Sequence, residues 1–151
     1  MNPELRELYQ QVILDHYKDP RNYKILPFYT NHAEGHNPLC GDQVEIFLSV
    51  EDGIIKDISF QGNGCAISKS SASLMTAFVK GRTVEEVQKD FDRFHALVMG
   101  NTVTDSDREQ LGKLAVLEGV KEFPMRVKCA SLAWHTLIAA IKNEQEKVIT
   151  E

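Results

Sequence analysis

The sequence predicts an α+β fold: a small antiparallel β-sheet of about three strands with helices packed on one face. Two stretches, near residues 5–17 and 129–141, repeat apolar residues at spacings of three and four. Between them, residues 43–50 alternate apolar with polar or mixed residues at a period of two. Glycine or proline punctuates most changes of pattern.

Taken in order, Asn2-Pro3 supplies an N-cap and a proline at the first helical position. Leu5, Leu8, Tyr9, Val12, Ile13 and Tyr17 then form one apolar helical face, and Pro20 stops the helix. Residues 21–39 read as irregular, with room for a short edge strand. After Cys40-Gly41-Asp42, the residues Val44, Ile46, Leu48 and Val50 mark a half-buried strand. Glu51-Asp52-Gly53 is a turn, and Ile54–Gln61 returns as the second arm of a hairpin. Gly62-Asn63-Gly64 ends that arm at Cys65, and a helix over 67–80 closes at Gly81. Thr83-Val84-Glu85-Glu86 is a capping box for a helix reaching Gly100, with Val87, Phe91, Phe94, Leu97 and Val98 inward. Residues 101–108 read as polar linker. Leu111, Leu114, Ala115 and Val120 suggest a short helix closed by Pro124, and a last helix runs from Lys128 or Cys129 to about Gln145. Residues 1–151 are expected to form one domain, a size that supports one hydrophobic core.

Charge narrows the function. Seventeen basic against twenty-two acidic residues give a net charge of −5, with no basic run longer than two. Nucleic-acid binding needs clustered Lys and Arg, so neither that role nor a polybasic membrane patch is expected. No apolar stretch approaches the roughly 20 residues that span a bilayer. The N-terminus lacks a cationic start followed by an apolar core, so a cytoplasmic location is expected.

Three cysteines do not close into a disulfide framework. In a reducing compartment they are buried hydrophobes, metal ligands or nucleophiles. Each sits at an element boundary: Cys40 before the first confident strand, Cys65 after the second, Cys129 at the expected start of the last helix. Cys40-Gly41 and Gly64-Cys65 allow close approach of backbone, and helix starts favour thiolates. Asp42, two residues after Cys40, is the nearest oxygen donor; residues i and i+2 of an extended segment point the same way, so the two are expected to face one ion, and a Cys₃Asp set suits four-coordinate zinc. The spacings, however, match no short zinc-finger pattern, and plain buried thiols remain open at this point.

Three segments carry more. Asn37-Pro38-Leu39-Cys40-Gly41-Asp42, Gly62-Asn63-Gly64-Cys65-Ala66-Ile67-Ser68 and Arg126-Val127-Lys128-Cys129 resemble the cysteine segments of the U-type iron–sulfur cluster assembly family (IscU and the NifU N-terminal region). Asp15-His16-Tyr17-Lys18-Asp19-Pro20-Arg21-Asn22 is similar to that family's first helix and turn. Lys128 stands where IscU-type chains place a histidine, and Phe123-Pro124-Met125-Arg126-Val127-Lys128 replaces their chaperone-read segment. With a longer Cys65–Cys129 gap, accommodated by an insertion over about 82–105, the chain looks like the SufU branch. The resemblance implies an IscU/SufU-like fold and a sulfurtransferase-like role. Cys40 would accept persulfide sulfur from a pyridoxal-phosphate cysteine desulfurase of the SufS type. Cys40, Asp42, Cys65 and Cys129 would hold Zn2+, with a desulfurase histidine displacing Cys40 from the metal. Sulfur would pass to downstream iron–sulfur scaffolds or apo-proteins. Two alternatives accompany this: a scaffold building a transient [2Fe–2S] cluster, or iron, on the same ligands, and a purely structural zinc domain.

Other polar residues are expected to be bystanders. His135 reads as a surface histidine, His32 and His36 as exposed loop residues, and His95 carries no assignment. Arg126 and Lys128 place positive charge beside Cys129. The Ser68-to-Ser73 run suits a tightly packed helix behind the site, and Trp134 suits the core.

Overall fold

A computed structural model describes residues 3–144 and 147–150. The elements run α1 (Pro3–Lys18), β1 (Asn31–Asn37), β2 (Asp42–Glu51), β3 (Ile54–Gln61), α2 (Ala66–Val79), α3 (Val84–Met99), α4 (Asp105–Leu111), a 3₁₀ helix (Gly112–Val120), α5 (Pro124–Ile141) and β4 (Val148–Ile149). The sheet order is β3-β2-β1-β4. Three strands are antiparallel, as expected, and the two-residue β4 adds a parallel fourth beside Gly35 and His36.

The hairpin forms where the period-two pattern places it. Asp52 and Gly53 both take positive φ, 53° and 74°, giving the two-residue turn whose twist matches the strands. Along β2, Asp42, Val44, Ile46 and Leu48 are buried against the helices, while Gln43 and Glu45 lie on the opposite face. Phe47, on that opposite face, is covered by Tyr29 and His32.

β1 takes up the room left for a short edge strand within 21–39, as a seven-residue strand. It pairs with β2 along its whole length, from Asn31↔Leu48 to Asn37↔Asp42. His32 and His36 are therefore half-buried strand residues, not loop residues. The strand carries no β-branched residue; Ala33, Gly35 and Asn37 make its inner face, small enough for α5 to lie close.

The helices hold three further corrections. α4 begins inside the expected linker, on a second capping box between Thr104 and Asp107. The stretch after it is 3₁₀ because its buried residues, Leu111, Leu114, Leu117 and Val120, recur every third position, which aligns them on one side of a three-residue turn. α5 starts four or five residues earlier than expected, because Pro124 opens it instead of closing the preceding segment. It ends at Ile141; Gln145, Asn2 and the Leu5 side chain lie outside the described residues. α1 buries Tyr9, Ile13 and His16, while Leu8 and Tyr17 of the expected apolar face are exposed.

α2 explains its serines. Ser71 donates to the carbonyl of Ala130 in α5 at 2.6 Å, and Ser73 bonds His16 Nδ1 at 2.7 Å and accepts from the Arg21 N–H at 2.8 Å. Small hydroxyls let α1, α2 and α5 approach closely while satisfying one another. Trp134, fully buried, stacks on Phe94 with centroids 5.2 Å apart. His135 is not a free surface residue: it is half-buried against Phe91 and His95, because α3 packs over it. Among the described residues, no helix is long and apolar enough to cross a membrane.

Two histidines make stability depend on pH. Burial, with Arg21 nearby, lowers the pKa of His16, and burial, with His95 nearby, lowers that of His135, both from an ordinary 6.5. Below pH 6.5 the unfolded histidines take up protons that the folded ones refuse, so their contribution to stability is level above that pH and falls beneath it. Glu45 and Glu118, held below 4.5, weaken the fold only at lower pH, leaving the window from 6.5 to 5 to the histidines. Each histidine that stays neutral contributes at most about 1.4 kcal/mol per pH unit. Urea midpoints should fall across that window, and less steeply in His135→Leu; a midpoint independent of pH there sinks the assignment.

Candidate metal centre

Asp42 opens β2 on its helix-facing side and is fully buried. Its Oδ1 accepts the backbone N–H of Cys65 at 2.8 Å. Its Oδ2 accepts from the Cys40 thiol at 3.0 Å and from the Cys65 thiol at 3.5 Å. Cys40 Sγ lies 3.5 Å from Cys129 Sγ. One donor atom each from Cys40, Asp42 and Cys129 thus falls within 4.8 Å of the others. Cys65 lies outside that mutually close set and joins it through both oxygens of Asp42. All four residues singled out from the sequence meet at one end of the sheet.

Each arrives by a different local device. Asn37 ends β1, accepts the Leu39 N–H on its side chain at 3.1 Å and the Gly41 N–H on its carbonyl at 2.9 Å, and so folds Cys40 back toward Asp42. Cys40 and Asp42 therefore meet around a turn, with Gly41 at φ 75°, and not along an extended segment. Gly64 supplies the close approach expected of it: a Cβ there would stand 3.0 Å from Asp42 Oδ1. Cys65 is the N-cap of α2, its sulfur accepting the Ser68 N–H at 3.4 Å. Ser68 was legible only as a packing serine; its backbone role follows from the cap. Cys129 sits in the second turn of α5, beyond the unpaired N–H groups of the helix start, so the helix-start argument applies to Cys65 alone.

Exposure divides the thiols: Cys40 and Cys65 face solvent and Cys129 is buried. The hydrogen bond with Cys129, aided by the Ser68 N–H, lowers the Cys65 pKa below that of an ordinary thiol. The same contact with Cys65, together with burial, drives Cys129 upward. Burial and the hydrogen bond to Asp42 raise Cys40. Arg126, exposed, lies over the Phe123 ring at 4.5 Å.

The donor set fits a cation. Among the described residues, Asp42 has no Lys, Arg or His ion-pair partner. A buried carboxylate ringed by thiols is costly unless positive charge joins it. Three sulfurs and one carboxylate oxygen meet the preference of zinc for four S, N or O donors.

Residues 8–130 match the family described as the NifU-like N terminal domain. The zinc-dependent sulfurtransferase SufU of Bacillus subtilis (strain 168) is 38% identical, over 95% of this chain and 96% of its own. The iron-sulfur cluster assembly scaffold protein IscU of Streptococcus pyogenes serotype M1 is also 38% identical, over 93% of this chain and 86% of its own. The crystal structure of a putative iron-sulfur cluster assembly scaffold protein for the SUF system, from Fervidobacterium islandicum AW-1, superposes with a TM-score of 0.82 at 30% identity, covering 90% of this chain and 98% of that one. With residues 8–130 matched and its fold superposing on that structure, this chain belongs to the NifU-like N-terminal domain family.

Proposed function

We propose that this chain is a zinc-dependent sulfur acceptor in iron–sulfur cluster assembly, taking persulfide sulfur from a SufS-type, pyridoxal-phosphate-dependent cysteine desulfurase in the cytoplasm. The observation that carries the reading is the convergence of three thiols and an uncompensated buried carboxylate, with one thiol, Cys40, at the solvent edge. The similarity to a zinc-dependent sulfurtransferase over nearly the full length supports it.

Cys40, Asp42, Cys65 and Cys129 would hold the metal, which when bound supplies charge that keeps the thiols deprotonated. Sulfur transfer itself falls to Cys40. Its Sγ attacks the outer sulfur of the desulfurase persulfide, a new S–S bond forms on Cys40, and the desulfurase cysteine leaves as a thiolate. Asp42 Oδ2, 3.0 Å from Cys40 Sγ, accepts the hydrogen bond of the thiol that must lose its proton first. Buried Cys129 is shielded from a docking partner and suits a permanent ligand. The sulfur then passes to a downstream scaffold or apo-protein.

The IscU relative favours a second reading, a scaffold that builds a transient [2Fe–2S] cluster on the same thiols. Protein purified in air should be colourless and carry about one zinc per chain. Brown protein with iron, sulfide and no zinc would establish the scaffold reading instead.

A further inference from the structure

β1 carries His32-Ala33-Glu34-Gly35-His36, a period-two run that puts His32, Glu34 and His36 on one face. Glu34 pairs across the ladder with Glu45 of β2. This is the sheet face opposite Asp42 and the helices, so the group is separate from the cysteine centre. A ring nitrogen of His32 and one oxygen each from Glu34 and Glu45 fall within 4.8 Å of one another.

We propose that His32, Glu34 and Glu45 form a second metal site, for a divalent first-row transition ion held through nitrogen and oxygen without sulfur. Donors around one such ion stand about 3–3.5 Å apart, given bonds of about 2.0–2.2 Å. His32 Nε2 and Glu45 Oε2 already stand 2.9 Å apart, and Glu34 is an exposed side chain with freedom to close on them. Gln61 donates to Glu45 Oε1 at 2.8 Å, which orients the carboxylate and leaves Oε2 turned toward His32. The His32 ring packs against both Tyr29 and Phe47, with centroids at 5.7 and 5.0 Å. His32 and Glu45 therefore have supported rotamers, and Glu34 is the adjustable donor.

An open cavity of about 350 Å³, lined by His32, Ala33, Glu34, Asn143, Glu144 and Lys147, lies against the cluster. It leaves room for the waters that complete the coordination of a hard ion. Its wall carries one acidic and one basic residue, Glu144 and Lys147. One imidazole and two carboxylates favour Mn2+, Fe2+ or Zn2+ over a soft ion such as Cu(I).

The test uses protein carrying one equivalent of zinc, which the three thiols of the cysteine centre take in preference to nitrogen and oxygen donors, and Mn2+ as the probe. Titration followed by the loss of the free-ion EPR signal should show about one Mn2+ per chain. Glu34→Gln and His32→Gln should each weaken it at least tenfold. The bound signal should show nitrogen hyperfine coupling that disappears in His32→Gln. Zinc content, read in parallel, should not change in either variant, so this site and the cysteine centre succeed or fail separately. Absence of Mn2+ binding at millimolar concentration, or binding indifferent to both substitutions, means that His32 and Glu45 are an ion pair only and overturns the proposal. If His32→Gln fails to fold, Glu34→Gln, at an exposed position, decides alone.

Discussion

Cys40→Ala is expected to leave the protein folded while abolishing its stimulation of a cysteine desulfurase and its labelling with sulfur. Cys40 is exposed and lies in a turn that Asn37 organises without it. Its thiol contributes one hydrogen bond to Asp42 and one contact with Cys129, so its loss should change stability by no more than about 1 kcal/mol. The effect on sulfur transfer is qualitatively different, because the acceptor atom is gone and Cys129, buried, cannot replace it. Cys129→Ala should behave otherwise, losing both metal and part of the packing of α5. The comparison needs three readings on each variant: thermal melting, zinc content, and persulfide mapping after mixing with desulfurase and cysteine. Full stimulation by Cys40→Ala removes Cys40 as acceptor, and an unfolded Cys40→Ala would favour a metal that only secures the fold.

Legibility in the sequence followed how local the determining interactions are. The β2–β3 hairpin was readable because Asp52-Gly53 and the alternation around it carry turn and register within a few residues. α3 was readable because Thr83 and Glu86 cap each other. β1 was legible only as room for a short edge strand, without bounds, since Ala33, Gly35 and Asn37 are chosen for the nearness of α5, a contact about a hundred residues away in the chain, and have no strand preference of their own. The same blindness hid the His32-x-Glu34-x-His36 face: a period of two means nothing until the segment is known to be a strand. Pro124 misled because one residue serves both to stop and to start helices.

The cysteine centre was legible residue by residue and not as a constellation. Cys40, Asp42, Cys65 and Cys129 stood out by their glycine neighbours and element boundaries, yet no spacing could say that the four converge. Their convergence rests on tertiary contacts: α2 and α5 meet at Ser71 and Ala130, and α5 lies on β1. Even correct neighbours were linked by a wrong local reason, since Cys40 reaches Asp42 around a turn.

Substituting Gly35 should give the largest loss of stability, and it should reach the metal centre. Gly35 lies in β1 beneath α5; an added Cβ would overlap Thr136 Oγ1 and stand 3.1 Å from Leu132 Cδ1. Thr136 is fully buried and donates to the Leu132 carbonyl at 2.7 Å, so it has no free direction in which to turn. A side chain at 35 must push α5 away from the sheet. Overpacking of this kind costs about 1–3 kcal/mol, so Gly35→Ala should lie near the upper end and Gly35→Val above it. At about 2–4 °C per kcal/mol for a chain of this size, the melting temperature should fall by roughly 5–10 °C for Gly35→Ala. Thr136→Ala in the same chain should recover part of that loss by vacating the space, a coupling of roughly 1 kcal/mol or more in a double-mutant cycle. The functional consequence follows from connectivity: β1 leads directly into the turn that carries Cys40, and α5 carries Cys129, so separating them separates the two sulfurs now 3.5 Å apart. Zinc affinity should therefore fall in Gly35→Val even where folded protein remains, and recover with Thr136→Ala. Unchanged melting in Gly35→Ala would mean that α5 does not press on β1 at this point, and strict additivity with Thr136→Ala would remove the clash as the cause.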